Sequence, residues 1–444
     1  MDVRKDEPLS ASQPQLRRVL TLPGAVMMGL GSIVGTGVFV SIGVAAGVSG
    51  PAVILAIVIA AFVALCNALS SAQLAASHAV SGGTYEYGYT CLNPALGFIA
   101  GWTFLLAKTA SAATAALGFA GYLLNVARID QAGVRTIVAI VVVAAVTMLV
   151  RSGVRRSNVA NSIIVSITLC SLLLFSIAGL PHALERGTEN LWPFFGTADT
   201  VAEACRALLH GCALMFVAFT GYGRIATLGE EVRDPQRNIP RAIIITLIVS
   251  ALLYIAVACV AVATFSPQSL ASVTRQQAAP LERVAQTFDV PVVAPIVAIG
   301  AVTAMLGVLL NLVLGLSRVL LAMGRRGDMP RFFARISADQ ATPGPAVIAV
   351  GIAIIALAAL GDVRLTWSFS AFTVLIYYAI TNAAALRLPR QHRRYPRAFA
   401  WMGLASCLFL AFWIDWPVWL TGLTIIALGL MWHAFRRKYR RDVE

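Results

Sequence analysis

Apolar residues fall along the chain in about twelve long blocks separated by short polar breaks: 24–46, 51–76, 96–126, 134–150, 158–180, 202–229, 241–265, 294–323, 345–361, 366–386, 399–415 and 417–435. Each runs for about 17 residues or more, the length a helix needs to cross the roughly 30 Å hydrocarbon core of a bilayer. Half-buried strands alternate over only about 4–8 residues, so the pattern predicts an all-α integral membrane protein of about 12 transmembrane helices. The helices are numbered below after these blocks.

Two blocks are interrupted where a helix should be most regular. Block 1 carries Gly29, Gly31, Gly35 and Gly37, and each glycine costs a helix about 1 kcal/mol relative to Ala. Block 6 carries Phe219-Thr220-Gly221-Tyr222-Gly223 near its centre. Such glycines serve either close packing of a neighbouring helix or an unwound backbone, which hydrocarbon tolerates only where protein or a water-filled cavity supplies partners. Recurrence five blocks apart favours unwinding, because it is the pattern of two inverted five-helix repeats. Five is odd, so the second repeat enters from the opposite side and the breaks meet at mid-membrane. The expected organisation is a polar tail over 1–23, a first repeat over 24–180 (helices 1–5) and a second over 202–386 (helices 6–10). A two-helix scaffold over 399–435 and a basic tail over 436–444 complete it. Trp401, Trp413, Trp416, Trp419 and Trp432 mark an interfacial aromatic belt on that scaffold.

Composition agrees: 444 residues, 59% hydrophobic and only 12% charged, with a mean hydropathy of +0.80, as in a membrane protein built almost wholly of helices. The net charge of +14 suggests nucleic acid until the charges are placed. With alternate loops on opposite sides, about two dozen of the 34 Lys and Arg collect on one side, including Arg151, Arg155, Arg156, Arg325, Arg326 and the tail Arg436 to Arg441. That is the positive-inside bias, which puts both termini in the cytoplasm and makes the basic excess a topology signal, not a nucleic-acid surface. Residues 1–19 are polar and lack a following small-residue cleavage site, so block 1 reads as a retained anchor. The seven cysteines are scattered without a CxxC pair and the five histidines without HExxH, so neither a metal nor a cofactor is expected. No GxSxG and no paired intramembrane carboxylates argue for an enzyme.

Four motifs, in order, resemble the amino acid–polyamine–organocation (APC) transporter superfamily, closest to its cationic and broad-specificity amino acid permease branch. They are Gly31-Ser32-Ile33-Val34-Gly35-Thr36-Gly37-Val38-Phe39; Ser81-Gly82-Gly83-Thr84-Tyr85-Glu86-Tyr87 with Gly101-Trp102; Glu230-Glu231-Val232-Arg233-Asp234-Pro235-Gln236-Arg237-Asn238-Ile239-Pro240; and Ser317-Arg318-Val319-Leu320. The resemblance implies a LeuT-type fold with discontinuous helices 1 and 6, in which backbone grips the shared core of an amino acid. It places the substrate carboxylate at the amides of Thr36 and Gly37, beside Gly35, where a helix N-terminus offers free N–H donors and about half a positive charge. It places the amine on carbonyls of Ile33 and, beside Gly221, of Val217, Ala218 and Thr220.

The chain departs from that pattern at its charged positions. Where relatives carry a carboxylate in helix 3 and a lysine in helix 5, this sequence has Ala107 followed by Lys108, and Thr168. Leu306 and Gly307 occupy the place of sodium-binding hydroxyls. Lys108 is therefore the coupling candidate, since an intramembrane lysine costs about 2.5–3.5 kcal/mol and usually has a purpose or a partner. The alternative is that it snorkels to the interface. Arg224 follows the block 6 break, either in the substrate's field or paired with Glu86, Glu230 or Glu231 as a gate, with Arg318 in the same scaffolding. Lys108 and Arg224 together disfavour cationic side chains and point to neutral substrates, with acidic ones open. The expected function is secondary active transport of an amino acid across the cytoplasmic membrane by alternating access, as proton symport. Exchange without a coupling ion, and a transporter-like nutrient sensor, are the alternatives.

Overall fold

The computed structural model describes residues 20–77, 83–129, 131–153, 158–196, 198–226, 232–336 and 342–443. Ser81, Gly82, Glu230 and Glu231 lie outside the described residues. Helix 1 is divided into Leu22–Ile33, Thr36–Phe39 and Ser41–Ser49. Helices 2 to 6 follow as Val53–Ser77, Pro94–Val126, Ala132–Arg151, Asn158–Asn190 and Val201–Phe219. Helices 7 to 12 are Pro235–Thr264, Val293–Arg326, Gly344–Ala358, Val363–Leu386, Arg397–Ala411 and Trp416–Val443. Among the described residues, nine stretches are long and apolar enough to cross a membrane, accompanied by three shorter apolar helices, Leu22–Ile33, Gly344–Ala358 and Arg397–Ala411.

Local chemistry fixes the helix ends. Helix 3 begins with Pro94, and Asn93 Oδ1 accepts from the Leu96 amide at 2.8 Å. Helix 10 begins the same way, Asp362 Oδ1 accepting from the Leu365 amide at 3.0 Å. Such caps satisfy an amide that has no partner within the helix and are worth about 1 kcal/mol each. Helix 8 stops at Gly327, whose left-handed backbone (φ 84°) turns its amide back onto the Met323 carbonyl.

The helices pair in a regular way. Helix 1 packs on helix 7 as helix 6 packs on helix 2, and helix 1 packs on helix 5 as helix 6 packs on helix 10. Helix 3 lies on helix 10 as helix 8 lies on helix 5, while the pairs 3 and 8, 2 and 7, and 4 and 9 close on themselves. Adding five to, or subtracting it from, each number converts each of the first six pairings into its counterpart and each of the last three into itself. Burial grades outward: 72% of the apolar window of helix 10 is buried against 28% for helix 12, so helix 10 belongs to the interior and helix 12 to the rim. Ile137, Val141 and Met148 of helix 4, and Ile163 and Ile177 of helix 5, are exposed, giving the outer surface the apolar face that lipid requires.

Helix 5 runs ten residues past its predicted end at 180, through Pro181 to Asn190. The stretch between blocks 7 and 8, which the apolar pattern leaves as a polar break, holds two short helices, Pro267–Gln277 and Pro280–Ala285. Each has proline in its first turn, where a missing N–H costs nothing. This pair is anchored through Tyr122 of helix 3, whose hydroxyl donates to the Phe39 carbonyl at 2.8 Å and accepts from the Leu281 amide at 3.2 Å. Beside it Glu282 is only 2% exposed, and burial pushes its carboxyl up to about 7 against the opposing pull of Asn125 and Arg283. At the other end of the bundle, the Arg233 amide donates to the Leu20 carbonyl at 2.9 Å, joining the chain just before helix 1 to the chain just after helix 6.

Candidate substrate site

Both expected breaks are present. Helix 1 stops at Ile33, Val34 and Gly35 run extended, and a new helix starts at Thr36. Helix 6 stops at Phe219, passes through a tight 3₁₀ turn over Thr220–Tyr222 and resumes as Gly223–Ala226. The helix 6 break is thus an overwound turn, whereas that of helix 1 is true unwinding.

The breaks touch each other. A Cβ on Gly37 would stand 2.8 Å from Ala218 Cβ, and one on Gly221 would stand 2.1 Å from the Ser32 carbonyl oxygen. Both distances are shorter than real side chains adopt, so glycine at these two positions is what lets the main chains meet. Tyr254 of helix 7 seals the junction, its buried hydroxyl 2.8 Å from the Ile33 carbonyl and 3.2 Å from the Ala218 carbonyl. Tyr378 of helix 10 donates to the Thr220 carbonyl at 3.1 Å, and the Thr220 hydroxyl donates to Val217 at 2.8 Å. Every carbonyl expected to hold a substrate amine therefore already has a hydroxyl donor, and that of Val217 accepts from the Thr220 amide as well. The Thr36 hydroxyl is buried with no hydrogen-bond partner, and the Thr36 and Gly37 amides open their helix without an acceptor four residues back.

A cavity of about 860 Å³ runs from these breaks to the basic end of the bundle. Its head is formed by Ser32, Lys108, Thr220 and Gly221, and its mouth by Glu86, Arg325 and Arg326. Ile33, Gly35, Thr36, Gly37, Val217 and Ala218 stand behind the head wall, not on it. Lys108 Nζ donates to Thr220 Oγ1 at 2.8 Å. The ammonium thus points at the helix 6 break and does not reach for the membrane interface. Arg224 and Arg318 also line the cavity. Glu86 pairs with Arg326 at 2.6 Å. Thr168, at the position aligned with the missing lysine, bonds within its own helix to Ile164.

Sequence reasoning missed the polar groups that brace this arrangement. Asn161 of helix 5 donates to the Met27 carbonyl at 3.1 Å. Asp328, next to the end of helix 8, accepts from Tyr85 at 2.6 Å and Tyr89 at 2.7 Å and faces His433 of helix 12 at 3.2 Å. Burial and that carboxylate push both phenols well above the usual range, so they remain donors. The Arg326 guanidinium lies over both rings. A signal existed only for Asp328, an acid beside a basic cluster.

A family model described as amino acid permease matches residues 24–441. The chain belongs to the amino acid permease family. As an APC-superfamily permease it is a multi-pass membrane transporter and not an enzyme. The permease is 39% identical over 430 residues to an uncharacterized transporter of Mycobacterium tuberculosis, covering 95% of this chain and 92% of that one. It is 27% identical to the branched-chain amino acid permease of Bacillus subtilis, covering 97% and 96%. It is 29% identical to a vacuolar cationic amino acid transporter of Arabidopsis thaliana, covering 82% of this chain and 58% of that one.

Proposed function

We propose that the permease carries an amino acid across the cytoplasmic membrane by alternating access, with the substrate held at the head of the cavity where helices 1 and 6 are interrupted. The observation that carries this reading is the contact of Lys108 with Thr220 at the helix 6 break, in a cavity that reaches both breaks. The α-carboxylate goes to the Thr36 and Gly37 amides with the idle Thr36 hydroxyl, and the amine to the Ile33, Val217, Ala218 and Thr220 carbonyls, displacing the donor that Thr220 now gives Val217. Gly35 and Gly221 keep side chains out of the way. Because those groups stand behind the head wall, the breaks must part to admit substrate, and the form described is the one open to the basic, cytoplasmic end. The add-five pairing of helices supports two inverted repeats over 24–180 and 202–386, rocking about that point, with helices 11 and 12 as scaffold.

Lys108 is the coupling group in this reading, loading and releasing a proton as the cavity changes sides. Arg224, Arg318 and Glu86, with Glu230 and Glu231, belong to the cytoplasmic gate. The test is uptake of radiolabelled amino acids by purified protein in liposomes, with and without an inward proton gradient. Gradient-driven accumulation that Lys108→Gln abolishes supports symport. Uptake that needs only a counter-substrate inside assigns exchange, and binding without movement assigns a sensor.

A further inference from the structure

The walls of the cavity are charged unevenly. Among its described lining residues stand Lys108, Arg224, Arg318, Arg325 and Arg326 against a single acid, Glu86, and Glu86 is taken by Arg326 at 2.6 Å. At the head the imbalance is sharpest. Among the described residues the hydrogen bond recorded for the Lys108 ammonium goes to a neutral hydroxyl, Thr220 Oγ1, and no carboxylate is within ion-pairing distance of it. An ammonium offers three donors and is costly in a low-dielectric interior unless a counter-charge meets it.

We propose that the missing counter-ion arrives with the substrate: the site takes an amino acid whose side chain ends in a carboxylate, and that carboxylate pairs with Lys108. This rests on the amino acid reading of the site given above and sharpens it. Lys108 and the Thr220 that it contacts both line the cavity beside Gly221, so the ammonium is open to a side chain that enters from the cavity. Basic groups from head to mouth draw anions and repel cations along the whole passage. A neutral side chain at the head leaves the ammonium unpaired, so discrimination against it comes from the unmet charge as well as from the pairing itself. A proton on Lys108 and a carboxylate beside it each strengthen the binding of the other, which links proton and substrate through one contact.

Glutamate and glutamine, alike in shape and different in charge, are the probes. With full-length protein in liposomes, the expected result is a kcat/KM for glutamate at least ~10-fold above that for glutamine and above those for leucine and lysine, the worth of about 1.4 kcal/mol of pairing. In Lys108→Gln the glutamate-to-glutamine ratio falls towards one. Glutamate raises the melting temperature of the parent protein more than glutamine does, a readout that needs no variant. A parent that prefers glutamine, leucine or lysine overturns the inference while leaving amino acid transport intact. A ratio unchanged in Lys108→Gln overturns it too, because the preference then arises elsewhere. A protein that neither binds nor moves any amino acid overturns the function reading along with it.

Discussion

Replacing Gly221 with alanine tests whether the two breaks close on one another. The new Cβ would lie 2.1 Å from the Ser32 oxygen, 2.4 Å from the Ser32 carbonyl carbon and 2.7 Å from the Ile33 nitrogen. All three are main-chain atoms, so no side chain can rotate away, and one half of helix 1 must move by about an ångström to restore van der Waals contact. Overpacking of this kind typically costs about 1–3 kcal/mol, and an all-backbone neighbourhood puts Gly221→Ala at the upper end. The gain of up to about 1 kcal/mol from removing a flexible glycine offsets part of it. A net loss of roughly 2 kcal/mol lowers the melting temperature by a few degrees. Gly223→Ala is the internal control, since its Cβ meets only the Tyr378 hydroxyl at 3.4 Å, an ordinary contact two residues away. Thermal unfolding of both variants in the same detergent, followed by uptake in liposomes, checks the reasoning. Gly221→Ala should be less stable and poorly active while Gly223→Ala matches the parent. Equal stability and activity in the two would refute the claim that the main chains meet here.

Three further expectations concern groups around the site. Tyr254→Phe removes the hydroxyl shared by Ile33 and Ala218 and should cost about 1 kcal/mol, read as a lower melting temperature, with slower uptake because the junction of the breaks loosens. Asp328→Ala leaves the buried phenol of Tyr85 and the half-buried one of Tyr89 without their acceptor, a loss of about 1–3 kcal/mol for the unmet donors, and Tyr85→Phe in that background should restore part of it. Glu282 has a folded-state value raised to about 7, so its contribution to stability is full below about pH 4.5 and fades as pH rises through 7. The raised value corresponds to roughly 3 kcal/mol, and Glu282→Gln should therefore match the parent near pH 5 and exceed it near pH 8 in melting temperature. A parent that gains stability relative to Glu282→Gln on going from pH 5 to pH 8 contradicts the assignment.

What could be read from the sequence is what hydrocarbon punishes. A glycine cluster inside block 1, another inside block 6 and a lysine inside block 3 each violate the preference of the membrane interior; Lys108, Gly221 and Gly223 line the cavity, and the block 1 cluster includes Gly37, which packs against Ala218 behind it. The family motifs were equally visible because they are contiguous. Tyr254 was invisible for the opposite reason: a tyrosine in an apolar helix breaks no rule, and its acceptor at Ile33 lies 221 residues away. Tyr378, Asn161 and Asp328 escaped in the same way, since their partners come from other helices. Lys108 could be singled out but not aimed, because the choice between the interface and the break depends on where Thr220 lies in space. The two helices after helix 7 lie in a polar break between blocks and were invisible to the apolar pattern, although proline in a first turn starts a helix as readily as it ends one.

The main-chain tie between Leu20 and Arg233 has a mechanical meaning. It ties the chain two residues before Leu22–Ile33, the half-helix ahead of the first break, to the chain that leads into helix 7 after the second. If the two halves rock as proposed above, that bond must either travel with both of them or break, so the first and second half-helices are not independent arms.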